Sequence, residues 1–323
     1  MALEFKPAQR RSVPLLISIA SVSGGGKTYS ALLVAAGIAG PHGKVGFVDT
    51  ENGRGAMYVD SPGIKAALPQ GYQILDLTPP FPPTKYIEAI ELAEKSGINV
   101  LVVDSSSHEW EGIGGCCDIA ENNKLRGMPN WALAKKEHKK FLNRALLSSM
   151  HIIFCLRARE KTKILKIDGK ETFVPQGIQP ICEKSFVFEQ LLSFQLEEFT
   201  HHAIPVKVPE PFQRLFPIKV GNDGLPMGTR LLTKEDGERI REWNETGSLL
   251  DPNEQLQKRA RGAAETGTSE YEAFFSKLTA QQKKFLVSTT HNENKTIAHQ
   301  ADEVEKNAQE DTQEPQQTGQ ESK

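Results

Sequence analysis

The residues with the plainest chemistry are Ser21-Val22-Ser23-Gly24-Gly25-Gly26-Lys27-Thr28. Three consecutive glycines let a backbone turn its N–H groups toward one point, which suits an anion. Lys27 adds a cation with reach, and the Thr28 hydroxyl is a ligand for a hard divalent ion. An apolar run at 15–21 precedes the loop and a helical pattern at 28–39 follows it. The helix places the positive end of its dipole on whatever the loop holds. A flexible Gly-rich turn is the other reading of such a segment.

In that context the spacing predicts a phosphate loop for ATP with Mg²⁺. The expected contacts are Ser23, Gly24, Gly25, Gly26, Lys27, Thr28 and Tyr29, with Thr28 on the metal. The usual pattern begins with Gly where this chain has Ser21, which fits if that residue keeps an ordinary torsion. Two acidic strand ends complete the chemistry. Val100-Leu101-Val102-Val103-Asp104 ends a buried strand in a carboxylate, at the sheet edge where ligands bind. Asp104 is placed to hold the metal-bound water, or else to cap a helix. Gly46-Phe47-Val48-Asp49-Thr50-Glu51 offers Glu51 just past a second strand, as general base for the attacking water. Asp49, Glu109 and Glu111 are its rivals, and capping of the next segment is its structural alternative.

These groups need a frame. Nearly continuous apolar runs at 15–21, 44–49, 72–77, 98–104 and 151–156 read as strands buried on both faces. Helical patterns at 28–39, 84–95 and 131–149 separate them, which predicts a mostly parallel sheet with right-handed crossovers. Residues 161–174 read as a hairpin around Asp168-Gly169. A further strand falls at 191–195, and frequent prolines at 201–228 predict irregular or edge structure. Thr233, with Asp236 three residues on, predicts a capped helix over 233–246, and 253–264 and 269–284 predict further helices. Residues from 291 are polar with few large apolar side chains, and read as disordered. The expected domains are a lead-in at 1–14, a core at 15–232, a helical segment at 233–290 and a tail at 291–323.

Composition bounds the rest. The chain has 323 residues, 38% hydrophobic, with a formal charge of -2, so it is no polycation. From residue 302 on, seven acids face two lysines, a net −5 that leaves +3 for the remainder. Cys116, Cys117, Cys155 and Cys182 lack metal-ligand spacing and read as free thiols in a reducing compartment. No run is long enough for a signal peptide or membrane span, which predicts a cytoplasmic protein with no membrane partner.

The strand and phosphate loop, Phe47-Val48-Asp49-Thr50-Glu51-Asn52, and Val102-Val103-Asp104-Ser105-Ser106 together resemble the RecA-type ATPase core. The run Ser107-His108-Glu109-Trp110-Glu111-Gly112 narrows this to phage-encoded, core-only RecA-like ATPases of the single-strand-annealing recombination type, also labelled phage AAA-family proteins. The resemblance covers about residues 13–220. It implies a RecA-like P-loop NTPase sheet, to which the patterning above adds a β-hairpin insertion, C-terminal helices and a disordered acidic tail. It also implies Glu51 as catalytic glutamate, Asp104 as the Mg²⁺ aspartate, and a bacterial host cytoplasm. Arg157 stands where RecA proteins carry a γ-phosphate-sensing glutamine, and no N-terminal polymerisation helix is evident.

Two basic clusters bear on partners. Lys135, Lys136, Lys139 and Lys140 lie on one side of the helix over 131–149. Arg157, Arg159, Lys161, Lys163, Lys166 and Lys170 crowd the hairpin beside Phe173. Either is a solvated face or a site for single-stranded DNA, with Arg157, Arg159, Lys161 and Lys163 the candidate contacts. Ring or short-filament homo-oligomers fit the superfamily, and Lys219 is a weak candidate for action in trans. The acidic tail serves solubility or recruits a protein partner. His108 and Trp110 are expected on the site's rim, and His201-His202 at the surface. The competing functions are a small-molecule kinase, for which no Arg-rich lid is evident, an ATP-binding accessory protein, and a partition-type ATPase, whose signature lysine position holds Val22.

Overall fold

Every residue of the strand β1 (Leu16–Ser21) is buried. A strand so apolar must be covered on both faces and paired on both edges. The computed structural model describes residues 7–8, 10–167, 170–222, 224–246 and 252–310. In it β1 pairs in parallel with a strand on each side. The chain runs from β1 into α1 (Lys27–Ala39), then β2 (Val45–Asp49), α2 (Pro62–Ala67), β3 (Gln73–Asp76), α3 (Pro83–Lys95) and β4 (Val100–Asp104). Next come α4 (Ser107–Glu111), α5 (Cys116–Asn122), α6 (Trp131–Leu146), β5 (His151–Ile167), β6 (Lys170–Pro180), β7 (Leu192–Leu196), β8 (Ala203–Lys207), β9 (Lys219–Val220), β10 (Pro226–Met227) and α7 (Lys234–Glu245). The sheet order is β3-β2-β4-β5-β1-β7-β8, with β6 paired to β5. Only β6 and β8 run antiparallel to their neighbours in this sheet. This is the expected mostly parallel P-loop sheet of RecA-like type.

Register sets the site. Asp49 lies opposite Asp104, Asp104 opposite Cys155, and Ser21 opposite Arg157. One face of the sheet buries Leu32, Ile38, Phe47 and Phe194 with α1 and α7. The other buries Tyr86, Ile90, Phe141, Phe154 and Phe186 with α3 and α6. Helices α1 and α7 meet at backbone contact. A methyl on Gly37 would lie 2.0 Å from the Lys234 carbonyl, and one on Gly237 would lie 2.2 Å from that of Val34. The Thr233–Asp236 capping box forms as expected, and Arg230 clasps Asp236 at 2.6 and 2.7 Å.

Four expectations change. The strand expected to stop at 156 continues to Ile167, because β6 pairs with it from Pro180 back to Lys170. Its turn, Asp168-Gly169, lies outside the described residues. Helix α7 belongs with the core rather than with later helices, since it buries Ile240 and Asn244; the first compact unit is Gln9–Leu249. The second unit, Leu250–Lys323 with Met1–Ala8, contains α8 (Pro252–Ala264), α9 (Thr268–Ser276), α10 (Ala280–Thr289) and α11 (His291–Glu310). Thr279 caps α10, splitting the single helix expected over 269–284. Residues 291–310, expected to be disordered, are helical. Asn294 and Ala298 are four apart on one face, and both are buried, Ala298 with Leu256, Ala260, Tyr271 and Leu286. The rest of the tail lies outside the described residues.

Candidate active site

The loop between β1 and α1 has the torsions its glycines permit. Gly24 and Gly26 both have φ +83°, and the Gly25 amide bonds the Val22 carbonyl at 3.2 Å. A methyl on Gly25 would lie 2.8 Å from Cβ of Ser21, so bulk at that position is excluded. Ser21 itself ends β1, fully buried, with its hydroxyl on the Val22 carbonyl at 2.9 Å. Serine thus replaces glycine there without strain. Gly26 precedes Lys27 at the start of α1, with no side-chain cap and no acid in the first turn. The N-terminal amides and the helix dipole therefore remain available to an anion. Ser23 is exposed at the crest of the loop. Tyr29 differs from expectation: its ring packs on Tyr58 with centroids 6.1 Å apart, and its hydroxyl abuts Gly63. Tyr29 faces the core because helical spacing turns position 29 away from the loop.

The Thr28 hydroxyl donates to Asp104 Oδ2 at 2.5 Å. Asp104 Oδ1 is buried and has no hydrogen-bond partner among the described residues. A hydroxyl beside an orphaned carboxylate oxygen fits Mg²⁺, which takes hard oxygen ligands. Burial pushes the Asp104 carboxyl up to about 6, against the pull of Lys27 and Thr28. The folded state therefore holds its proton longer than the unfolded chain, whose value is near 3.8, and stability falls as pH rises through that window. Metal-free Asp104→Asn is expected to be more stable than wild type near pH ~7.5, by at most about 3 kcal/mol at roughly 1.36 kcal/mol per unit. Thermal melts should show that advantage vanishing near pH ~4, where the wild-type carboxyl is protonated.

The rival carboxylates separate cleanly. Asp49 is occupied by the backbone amides of Glu51 at 2.7 Å and Gly55 at 2.6 Å, which anchor the turn after β2. Glu111 forms a two-pronged pair with Arg159 at 3.0 and 2.7 Å. Glu109 points inward, where His138 Nδ1 lies 3.0 Å and Cys116 Sγ 3.1 Å away. Glu109, Cys116 and His138 are metal-capable donors and all buried, yet both partners already bond Glu109. They form a latch joining α4, α5 and α6 across a small core of Cys116, Ala120 and Ala134. All four cysteines are free, and burial pushes the Cys117 and Cys182 thiols up to about 11 and 12.

Of the four candidates for the base, Glu51 is the one that faces the loop. Its Oε1 is buried with no hydrogen-bond partner among the described residues, 3.9 Å from Lys27 Nζ and 3.9 Å from Arg157 Nε. Its Oε2 accepts from Arg54 at 3.1 Å. Lys27, only 7% exposed, is therefore held by the carboxylate across the loop. Two contributors were not legible beforehand. Thr50 Oγ1 lies 2.7 Å from His108 Nδ1, and His108 Nε2 lies 3.2 Å from Arg157. Burial, reinforced by Arg157, lowers the His108 pKa, which favours the neutral ring. His108 is thus a bridge between the turn after β2 and β5, stacked on Phe81, rather than a rim residue. Trp110 stacks on Trp131. His201, expected at the surface, instead packs against Gly26, because the turn after β7 folds back over the loop.

The basic residues divide. Arg157 points into the site and Arg159 is paired, whereas Lys163, Lys166, Ile164 and Phe173 are exposed along the β5–β6 arm and Lys161 is half-buried. The Lys170 side chain lies outside the described residues. On α6, Lys135 pairs with Glu183 at 3.7 Å and Lys140 with Glu137 at 3.3 Å, as a solvated face would.

Residues 14–186 match the family model described as AAA domain. A KaiC-like protein from the hyperthermophilic archaeon Pyrococcus horikoshii OT3 is similar at TM-score 0.37 and 14% identity, over 63% of this chain and 89% of that one. No curated protein matches the chain. Among the described residues no helix is long and apolar enough to cross a membrane.

Proposed function

This chain belongs to the AAA domain family, and from that premise we propose that it is a Mg²⁺-dependent ATPase driven by single-stranded DNA, acting in phage recombination or strand annealing. ATP binds by its phosphates to the amides of residues 24–28 and to Lys27. Thr28 and Asp104 hold the metal. When bound, the ion offsets phosphate charge and polarises the terminal phosphoryl group. Lys27 exchanges Glu51 for phosphate oxygens, which frees Glu51 Oε1 to orient a water and accept its proton. Arg157, tied to both Glu51 and His108, is the residue through which occupancy of the arm reaches the base.

One observation carries the DNA reading. The strand that bears Arg157 at the site continues, past a register shift between Glu160 and Thr162, into the exposed arm. On that arm the cross-strand pair Ile164 and Phe173 stands beside Lys166, a surface for bases with cations for phosphates. The test is an ATPase titration with single-stranded DNA. DNA should raise the rate. If Lys161, Lys163 and Lys166 each neutralise a phosphate, affinity should fall about 20-fold between ~50 and ~200 mM salt. Equal rates with and without DNA at low salt would remove DNA from the reaction and leave an ATPase with another partner.

A further inference from the structure

The turn between β7 and β8 is built to hold one side chain over the phosphate loop. His201 has φ +58°, a conformation few residues other than Gly adopt without support. The support is present. The His201 amide bonds the Glu197 carbonyl at 3.1 Å, and the Glu197 carboxylate accepts from Gly228 N at 2.8 Å and from the Thr200 hydroxyl. The imidazole packs on Gly26, where a methyl would meet its Cγ at 3.2 Å. Its Nδ1 is buried without a hydrogen-bond partner among the described residues. Strain kept by surrounding structure collects at ligand clamps.

Strand order says which end of the ligand this clamp meets. Lys27, Asp104, Glu51 and Arg157 mark the terminal phosphate, and the last three come from β4, the turn after β2, and β5. These strands lie on one side of β1, and β7 lies on the other. A triphosphate whose end is fixed on the β4 side runs along the loop toward β7. We propose that His201 is a nucleoside-binding residue whose ring packs against the base and ribose of the bound nucleotide. This rests on the ATP-binding reading above, and it adds a contact that the loop motif does not contain.

The test is calorimetry on the full chain with ADP and with inorganic tripolyphosphate as probes. His201→Asn tolerates the left-handed backbone but lacks the ring, and His201→Phe restores a flat face. His201→Asn should weaken ADP about tenfold, the range of one ring-on-base contact, and leave tripolyphosphate unchanged. His201→Phe should recover most of the ADP affinity. Equal ADP affinity in His201→Asn and wild type would overturn the proposal. So would equal weakening of both probes, which would assign His201 to the shape of the phosphate loop. A wild type that binds neither probe overturns the ATP reading as well, whereas binding with no effect at position 201 overturns this proposal alone.

Discussion

Glu51→Gln should bind ATP no less tightly than wild type and hydrolyse it about 10²–10⁴-fold more slowly, the span that a positioned general base contributes. The geometry gives the effect its direction. Oε1 of Glu51 is the buried acceptor facing Lys27 and Arg157, and Asp49, Glu109 and Glu111 are each engaged elsewhere. Glutamine keeps the volume and can keep the Arg54 contact, but it accepts no proton from water. It also releases Lys27 from an opposite charge, so nucleotide affinity should hold or rise. Single-turnover hydrolysis with calorimetric binding separates the two quantities. Hydrolysis at the wild-type rate would sink the assignment of Glu51 as base, and tighter binding with no turnover would support it.

Lys27→Ala should affect both binding and turnover. A hydrogen bond to a charged partner is worth about 1.5–3 kcal/mol, which is roughly 10- to 10²-fold in affinity. Loss of a preorganised charge at the reacting phosphate costs a further 10²–10³ or so in rate. Together kcat/KM should fall by about 10³–10⁵. Lys27→Arg should not restore it, because Lys27 is nearly enclosed and a planar fork needs more room than an ammonium. Steady-state kinetics with melting curves decide the matter. A folded Lys27→Ala protein with intact kcat/KM would mean that the loop does not hold the reacting phosphate.

What could be read in the sequence follows from the range of the forces involved. Ser21 to Thr28 announces itself because strand, glycines and helix start are contiguous. Asp104 and Glu51 stood out as candidates because each ends a run of buried residues. His108 and His201 could not be assigned roles, since what matters is the partner across the fold: Thr50 and Arg157 for one, Gly26 for the other. A signal did exist at His201, the neighbouring Glu197 and Thr200 of a tight turn, but nothing local said which loop it would cover. The extent of β5 was missed because its second half is polar and stable only as one of a pair with β6. The helix over 291–310 was missed because its buried stripe consists of small and polar residues, Asn294 and Ala298, which packing rather than hydrophobicity selects.

The glycine-to-glycine seam between α1 and α7 has a mechanical corollary. Helices separated by side chains can shear as rotamers change, but here carbonyls and α-carbons interlock at Gly37 and Gly237. The shaft of α1 is therefore pinned at its rear, nearly three turns (roughly 2.8) behind Lys27. Accommodation of an incoming anion falls to torsions at Gly24 and Gly26 and to the swing of the Lys27 ammonium. The grip can adjust while the anvil behind it stays still.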